Sequence, residues 1–431
     1  MKLFICFLFL FLNPAIYSQW TQQENGLEPS EGASFAIDAC NNNTAIIIYN
    51  NHIYKTENTG DTWIKIPFPA SYEIDVSIID REHFWVCTDS GKIFATSNGG
   101  TTWILQFYDT TITTFIDYIE MFNLNDGFAM GDSKNSLGPA IFLRTTDGGI
   151  KWTSVNDSAF GGNSGDVWRR IDFVDINTGY FFETGVSPQY LYKTTNGCKD
   201  WINTNVPLEN IKLIKFYNQN LGLAAHLDSY NPNIDHQVCR ICRTFDGGNS
   251  WETFYIDSEG WPNDFEFLPG DPSKVWYVES YSLYFSSDTG RTWYRQIYDA
   301  NLFGRDLVFT DNDHGWLLCD GKLFHTSNNG GITSDVSSKG ELIPVEYSLE
   351  QNFPNPFNPY TTIRYSIPKY SFVTLTVYDL LGREVQTLIN EYKPAGKYQT
   401  TFNAEKLSNG VYIFTLKTGE YKASKKLIIL K

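Results

Sequence analysis

The sequence predicts an all-β protein, a seven-bladed β-propeller followed by a small Ig-like β-sandwich. Three observations support this prediction. A short turn motif recurs seven times at the interval expected of four-stranded blades. The 431 residues include 31 Phe, 26 Tyr and 12 Trp but only 3 Met, a balance that suits β-strands better than long helices. The carboxy-terminal residues 351–431 lack the motif and alternate apolar and polar positions between Pro and Gly breaks.

The chain begins with a predicted signal peptide, residues 1–18. Lys2 precedes an apolar run from Leu3 to Leu12, and the small residues Ala15 and Ser18 follow it. The alternative is a membrane anchor, but a spanning helix needs about 20 apolar residues and this run is roughly half as long. Cleavage after Ser18 would leave an exported protein whose later segments are not apolar enough to span a bilayer.

The charge is strongly acidic and unevenly distributed. The formal net charge is −16, which disfavours nucleic acid and anionic membrane surfaces as partners. Residues 19–344 carry 21 basic against 42 acidic side chains, whereas residues 345–431 carry 11 against 7. The two parts therefore have opposite net charges, as expected of two domains with different surroundings.

Six cysteines remain once Cys6 leaves with the signal peptide. Export would allow some of them to pair, but buried free thiols are the simpler expectation. Cys239 and Cys242 resemble a C-x-x-C motif, yet they lie in an apparent strand, where residues three apart point to opposite faces. We therefore expect no metal or redox site there and no cofactor. The six are Cys40, Cys87, Cys198, Cys239, Cys242 and Cys319.

The repeated turn has the form of KTENTGDTW, which ends at Trp63, and its copies end 40 to 50 residues apart. Asp or Asn should accept hydrogen bonds from backbone amides two or so residues on, and Gly should supply a positive φ. Trp should pack between neighbouring sheets. Cys198 replaces Gly in the fourth copy, so that turn should be strained. The Asp or Asn positions are Asn58, Asn98, Asp147, Asn196, Asp246, Asp288 and Asn328.

A second signal precedes each turn: an apolar strand, a polar turn and another apolar strand, as in FVDINTGYFF from Phe173. Each repeat thus contains four strands, with the Asp-containing turn joining the outer two. The paired signals resemble the BNR or Asp-box β-propeller families, and most closely the photosystem II assembly factor-like repeats. The resemblance covers residues 19–334. It implies the fold and leaves the activity open.

The chain's start is predicted to close the ring. The seventh turn copy, which ends at Thr333, lacks both its Trp and its last strand, and the mature amino terminus begins with Trp20 followed by a short polar segment. Residues 19–25 would then supply the outer strand of the last blade and cover its edge, giving a propeller over 19–335. The alternative is a frayed amino terminus beside an open last blade.

A linker over 336–350 leads to the carboxy-terminal module, 351–431. This module resembles the type IX secretion C-terminal sorting domain of the Bacteroidetes and Chlorobi. That family resemblance implies transport across the outer membrane by the type IX machinery, often with removal of the domain and release or surface attachment of the passenger. The alternative is an ordinary adhesion sandwich. The matching segments are Phe353–Pro359, VYDLLGREV from Val377, Pro394–Gly396, Gly410–Tyr412 and Lys425–Ile429.

Ligands are expected on the face opposite the Asp-containing turns, where inner strands begin and the loops between second and third strands project. The longest loops and most aromatic platforms belong to blades three to five, so binding is predicted there. The candidate binding residues are Trp168, Arg169, Arg170, His226, Tyr230, Trp261, Asp264 and Arg305.

The predicted function is a secreted or cell-surface binding or scaffold protein for a glycan or another protein. A glycoside hydrolase is the alternative. A sialidase-like enzyme would need three Arg that clamp a carboxylate and usually an R-I-P motif; no R-I-P motif occurs here, and Arg81 is the only Arg in the first two blades. Two loop carboxylates could still act as acid and base. The only plausible metal pair is His226 with His236, and no metal or catalytic residue is predicted. The candidate carboxylates are Asp132, Asp166, Glu183, Asp228 and Asp235.

Overall fold

A computed structural model of the chain describes most of the sequence as β-strand. Within the described residues the one exception among regular elements is a 3-10 turn at Asn329–Gly331, which confirms the all-β prediction. No helix in this part of the chain is long and apolar enough to cross a membrane. The described ranges are 20–28, 33–134, 140–155, 171–183, 189–208, 210–227, 239–256, 260–299, 301–331, 347–367, 371–393, 396–419 and 421–431.

The amino-terminal part forms seven antiparallel four-stranded sheets, the blades of the predicted propeller. Strand β1 (Thr21–Gln22) comes first and belongs to the last blade. Blade 1 contains β2 (Ile37–Asn41), β3 (Thr44–Tyr49), β4 (His52–Thr56) and β5 (Ile64–Ile66); blade 2 contains β6 (Glu73–Ile78), β7 (Phe84–Thr88), β8 (Lys92–Thr96) and β9 (Ile104–Tyr108). Blade 3 contains β10 (Thr113–Met121), β11 (Gly127–Ser133), β12 (Ile141–Thr145) and β13 (Thr153–Ser154); blade 4 contains β14 (Ile171–Phe173), β15 (Gly179–Phe182), β16 (Gln189–Thr194) and β17 (Ile202–Leu208).

The remaining blades follow the same order. Blade 5 contains β18 (Ile211–Phe216), β19 (Gly222–Leu227), β20 (Cys239–Thr244) and β21 (Glu252–Ile256); blade 6 contains β22 (Pro262–Leu268), β23 (Asp271–Glu279), β24 (Ser282–Ser286) and β25 (Tyr294–Tyr298). Blade 7 contains β26 (Gly304–Phe309), β27 (His314–Cys319) and β28 (Lys322–Ser327) together with β1. The innermost strand of blade 7 contacts those of blades 6 and 1, so the sheets form a ring.

Residues 20–22 occupy the outer edge of blade 7. In the β1–β28 pair, Thr21 lies opposite His325 and Gln22 opposite Phe324. Trp20 is buried and packs edge-on against Phe309, with ring centroids 5.9 Å apart. The indole of Trp20 therefore fills the place that the seventh turn copy leaves without a Trp, and β1 pairs with the edge of β28.

The repeat turns use one more side chain than the sequence analysis identified. In blade 2, Asn98 Oδ1 accepts the backbone N–H of Thr102, four residues on rather than two. Thr96, two residues earlier, donates its hydroxyl to Asn98 and accepts the N–H of Gly100. Every turn has this hydroxyl, on Thr56, Thr96, Thr145, Thr194, Thr244, Ser286 or Thr326.

A glutamine on some outer strands ties one blade to the turn of the next. Gln106, on β9 of blade 2, donates to the carbonyl of Gly148 in the blade 3 turn and accepts from the indole of Trp85. A Cβ on Gly149 would lie 1.8 Å from the Gln106 side chain, so this turn needs glycine for space as well as for its φ of 86°. Gln23 and Gln296 make the corresponding contacts with the turns of blades 1 and 7.

The turn of blade 4 differs from the other six in having a cysteine at the glycine position, as the sequence indicated. Cys198 occupies the glycine position with φ 63°, a left-handed conformation that is unfavourable for a residue with a side chain. Its buried thiol packs in the cluster that contains Trp201, whose ring lies 5.1 Å from that of Phe142 in blade 3. The Trp of this turn thus packs between neighbouring sheets.

The carboxy-terminal domain is built of two sheets around one apolar core. One sheet contains β29 (Ser348–Leu349), β30 (Tyr360–Ile367) and β33 (Gly396–Asn403). The other contains β31 (Ser371–Tyr378), β32 (Glu384–Lys393), β34 (Gly410–Thr418) and β35 (Tyr421–Ile429), in the order β32-β31-β34-β35.

The proline-rich motif of this domain holds its last strand. Asn355 accepts the N–H of Ile428 and donates to the carbonyl of Lys426. Phe357 is buried in the core, and its backbone bonds with those of Ile428 and Leu430. The motif near the start of the domain and the lysine-rich segment at its end therefore form one structural unit.

Candidate functional site

The innermost strands line a central channel with charged side chains. On each inner strand, alternate residues face the axis, so equivalent positions of the seven repeats form rings. The channel contains a cavity of about 260 Å³. We name its charged residues the channel cluster: Asp38, Asp75, Glu120, Asp172, Lys215, Asp264, Glu266 and Asp306.

Most of these carboxylates bond to the backbone of the next blade. Asp38 of blade 1 accepts the N–H of Ile78 in blade 2, at 2.8 Å. Asp306 of blade 7 accepts the N–H of Ile37 in blade 1, at 2.9 Å, and so links the last blade to the first. The other acceptor and donor pairs are Asp75 with Ile119, Asp172 with Phe216, Asp264 with Leu307 and Glu266 with Phe309.

Lys215 is the one cation of the channel cluster. Its Nζ lies 3.3 Å from Glu266 Oε2 and 3.9 Å from Asp172 Oδ1. The neighbouring carboxylates raise the pKa of Lys215, although burial opposes this, so the ammonium stays charged. Lys215 therefore balances part of the negative charge that the ring concentrates at its axis.

Burial makes several of the channel carboxyls hard to ionise. Desolvation raises the pKa of Asp38 to about 6, against an opposing effect of backbone hydrogen bonds. It raises the pKa of Asp172 to about 6 as well, where the charge of Lys215 and a backbone hydrogen bond oppose it. It raises the pKa of Glu120 to about 8, where a hydrogen bond from Tyr118 opposes it. Near neutral pH the cluster thus holds some of its protons, which lowers its charge repulsion.

The structure places four of the predicted binding residues. The ring of Trp261 is 48% exposed and the Lys212 ammonium lies 5.2 Å from its centre, so this pair is available on the predicted face. Asp264 is buried in the channel, and Arg305 makes two hydrogen bonds to Asp320. His226 is buried within blade 5. Trp168, Arg169, Arg170 and Tyr230 lie outside the described residues.

Other predicted groups are engaged or lie elsewhere. Glu183, one of the carboxylates considered for hydrolysis, is buried and accepts the hydroxyl of Tyr192 at 2.9 Å. Asp166, Asp228, Asp235, His236 and the signal peptide fall outside the described ranges. Those ranges contain no group of three or more His, Cys, Asp or Glu placed to hold a metal ion.

The six cysteines within the described residues are free thiols. All are buried except the half-buried Cys40. Cys239 packs in the core between blades 5 and 6, where its Sγ lies 3.3 Å from the Tyr277 hydroxyl. Cys242 contacts Thr253 and packs in the cluster on the other side of the sheet. The C-x-x-C thiols therefore point apart.

Sequence reasoning missed most of the channel cluster, although the signal was present. Asp172, Lys215 and Glu266 each stand directly before the aromatic residue that opens the second repeat signal. A charged residue at a fixed position of an otherwise apolar inner strand indicates an axis-facing side chain. Asp264 was predicted to bind a ligand; this prediction is wrong for its carboxylate, which accepts the N–H of Leu307 in blade 7.

Comparison with known proteins assigns the carboxy-terminal domain. Residues 351–430 match a family described as the secretion system C-terminal sorting domain. The type IX assignment is thereby confirmed, and the protein is one that is secreted or carried on the outer cell surface. No curated protein matches the sequence of the chain significantly.

Solved structures share the propeller fold at low sequence identity. YCF48 bound to D1 peptide is 15% identical, with a TM-score of 0.57 over 72% of this chain and 97% of its own. YCF48 from Cyanidioschyzon merolae is 16% identical, with a TM-score of 0.56 over 73% and 99%. An ancestral GH74 enzyme is 14% identical, with a TM-score of 0.53 over 95% and 63%. These similarities establish the fold alone.

Proposed function

We propose that this secreted propeller is a non-catalytic binding or scaffold protein for a glycan or another protein. The proposal rests on the hydrogen bonding of the acidic side chains around the propeller axis. In the described part of the ring, most channel carboxylates accept backbone hydrogen bonds from the next blade, and Glu183 is bonded to Tyr192. Acids used to hold the blades together are poorly placed to act as a catalytic pair on a substrate.

The predicted ligand face supports binding by other groups. Trp261 presents an open aromatic surface, and the Lys212 ammonium lies against it. An aromatic ring beside a cation suits both the apolar face of a sugar and the side chains of a peptide. Secretion places this face where extracellular polymers or surface proteins are available.

Binding and hydrolysis can be tested together on the full chain. We expect immobilised polysaccharides or surface proteins to retain the protein, with no release of reducing sugar. Trp261→Ala should weaken that binding about tenfold, because the aromatic contact is lost. Phe245→Ala removes a similarly exposed ring from a repeat turn on the opposite face and should leave binding unchanged. Steady sugar release by the wild type would contradict the proposal and favour the hydrolase alternative.

A further inference from the structure

A second cavity, of about 700 Å³, lies between blades 1 and 2. Its walls are the hairpin between β3 and β4, with Asn51 and His52, and the link from β5 to β6, residues 67–72. Both segments lie on the face opposite the repeat turns, away from the sector at blades three to five. The volume is within the range of small-molecule sites.

A buried carboxyl group borders this cavity, and one of its two oxygens has no hydrogen-bond partner in the described part of the chain. Glu73 is 3% exposed, and its Oε2 has no hydrogen-bond partner among the described residues. Desolvation raises its pKa to about 7, a hydrogen bond from the backbone N–H of Glu73 itself opposes this, and the charge of Asp89 adds to it. Near neutral pH this carboxyl can therefore either donate or accept a hydrogen bond. A buried polar group with no partner is costly for folding, so a ligand is a reasonable source of one.

A strained aromatic residue lies beside it. Tyr72 has φ 60°, and its carbonyl accepts the N–H of Asp89 in blade 2 at 3.1 Å. The ring is nevertheless 59% exposed. A left-handed backbone costs a tyrosine about 1–3 kcal/mol, and such strain concentrates at binding sites. The exposed ring is thus held at the cavity wall at the expense of stability.

The remaining lining groups favour a neutral ligand. The Lys65 ammonium is paired with Glu28, 3.0 Å away, so the two charges offset each other. Asn51 and Ser71 add uncharged polar groups. A sugar fits this combination, since its C–H face can stack on an aromatic ring. Its hydroxyls both donate and accept, and so match Glu73 in either protonation state.

We propose that this cavity binds one sugar unit of a neutral polysaccharide, which stacks on Tyr72 and hydrogen-bonds to Glu73. The inference rests on the proposed binding function and names its ligand class and a place for it. A free carboxylate or ammonium ligand would match only one state of the acid, whereas a hydroxyl matches both.

The test titrates the full chain with cellohexaose, xylohexaose and mannohexaose by calorimetry. Tyr72→Gly removes the ring and also the strain, so the melting temperature should hold or rise while affinity falls about tenfold. Glu73→Leu removes a buried carboxyl with one unpartnered oxygen, so it should weaken binding without unfolding the protein. Glu73→Gln, which still donates and accepts, should bind within about twofold of wild type.

Tyr108→Ala is the matched control, because that ring is 54% exposed on an outer strand away from the cavity. Unchanged affinity in Tyr72→Gly would overturn the assignment of this cavity. Failure of the wild type to bind any of the three sugars would overturn the ligand class. In either case the broader binding proposal stands or falls separately, on Trp261→Ala and on retention by surface proteins.

Discussion

Trp20→Ala should lower the free energy of unfolding by about 3–5 kcal/mol, the usual cost of truncating a buried Trp. Trp20 is 4% exposed, packs against Phe309 and donates its indole N–H to Gln296 of blade 6. Truncation would leave a cavity between blades 6 and 7 and loosen β1. Chemical denaturation of the purified full chain measures the change.

Trp261→Ala is the control for this prediction, since that ring is exposed and its loss should change stability by less than about 0.5 kcal/mol. Equal stability of the Trp20 variant and wild type would show that the chain's start does not hold the ring. It would leave the last blade with an open edge.

Lys215→Met should destabilise the propeller by about 2 kcal/mol at pH 8. Removing one partner of a buried charge pair usually costs about 3–5 kcal/mol, but about a third of this side chain faces channel water, which screens part of the interaction. The loss of stability should be smaller at pH 5, because the channel carboxyls then carry less negative charge for Lys215 to balance. Below about 6, Asp38 and Asp172 hold protons in the folded state, and Glu120 does so below about 8.

The direction in which stability changes with pH follows from these raised pKa values. Each such acid keeps its proton in the folded chain after the unfolded chain has lost it, so stability falls as pH rises through the folded pKa. Without the ammonium that fall should be steeper. Lys215→Arg keeps the charge and should stay close to wild type. If Lys215→Met is as stable as wild type at pH 8, Lys215 does not balance the charge of the carboxylates at the axis.

Local signals made the blades predictable from the sequence. The hydrogen bonds of each repeat turn join residues within nine positions of one another. The same residue types therefore recur in every copy and can be seen in the sequence. The strand order follows from the two signals in each repeat. Even the unusual turn at Cys198 could be identified, because only its glycine position had changed.

The closing strand was predictable for a different reason. Trp20 stood without a turn before it, and the seventh turn ended without its Trp. Gln23 adds a signal that was overlooked: it follows Trp20 by three residues, as Gln106 follows Trp103 and Gln296 follows Trp293. Each of these glutamines bonds to the turn of the following blade.

The channel cluster and the cavity beside Tyr72 were not predictable in the same way. A charged residue does recur at a fixed position of the inner strands, as at Asp172, Lys215 and Glu266, but its partners lie on neighbouring blades, so the recurrence alone does not show what each side chain contacts. Asp264 and Lys215 acquire their roles only when the ring brings distant strands around one axis. The left-handed backbone of Tyr72 and the unpartnered Oε2 of Glu73 depend on packing between blades 1 and 2.

The central claim is that Thr21 and Gln22 pair with β28 and complete the seventh sheet. Disulfide trapping tests it most directly, with Thr21→Cys and His325→Cys in the same chain. These residues are opposite each other across an antiparallel pair, at a separation of about 4.5–5.5 Å between Cα atoms that a disulfide can span. Mild oxidation should join Cys at the two positions within one molecule, as seen by peptide mass mapping. Two free thiols, or a bridge between molecules, would contradict the closed ring.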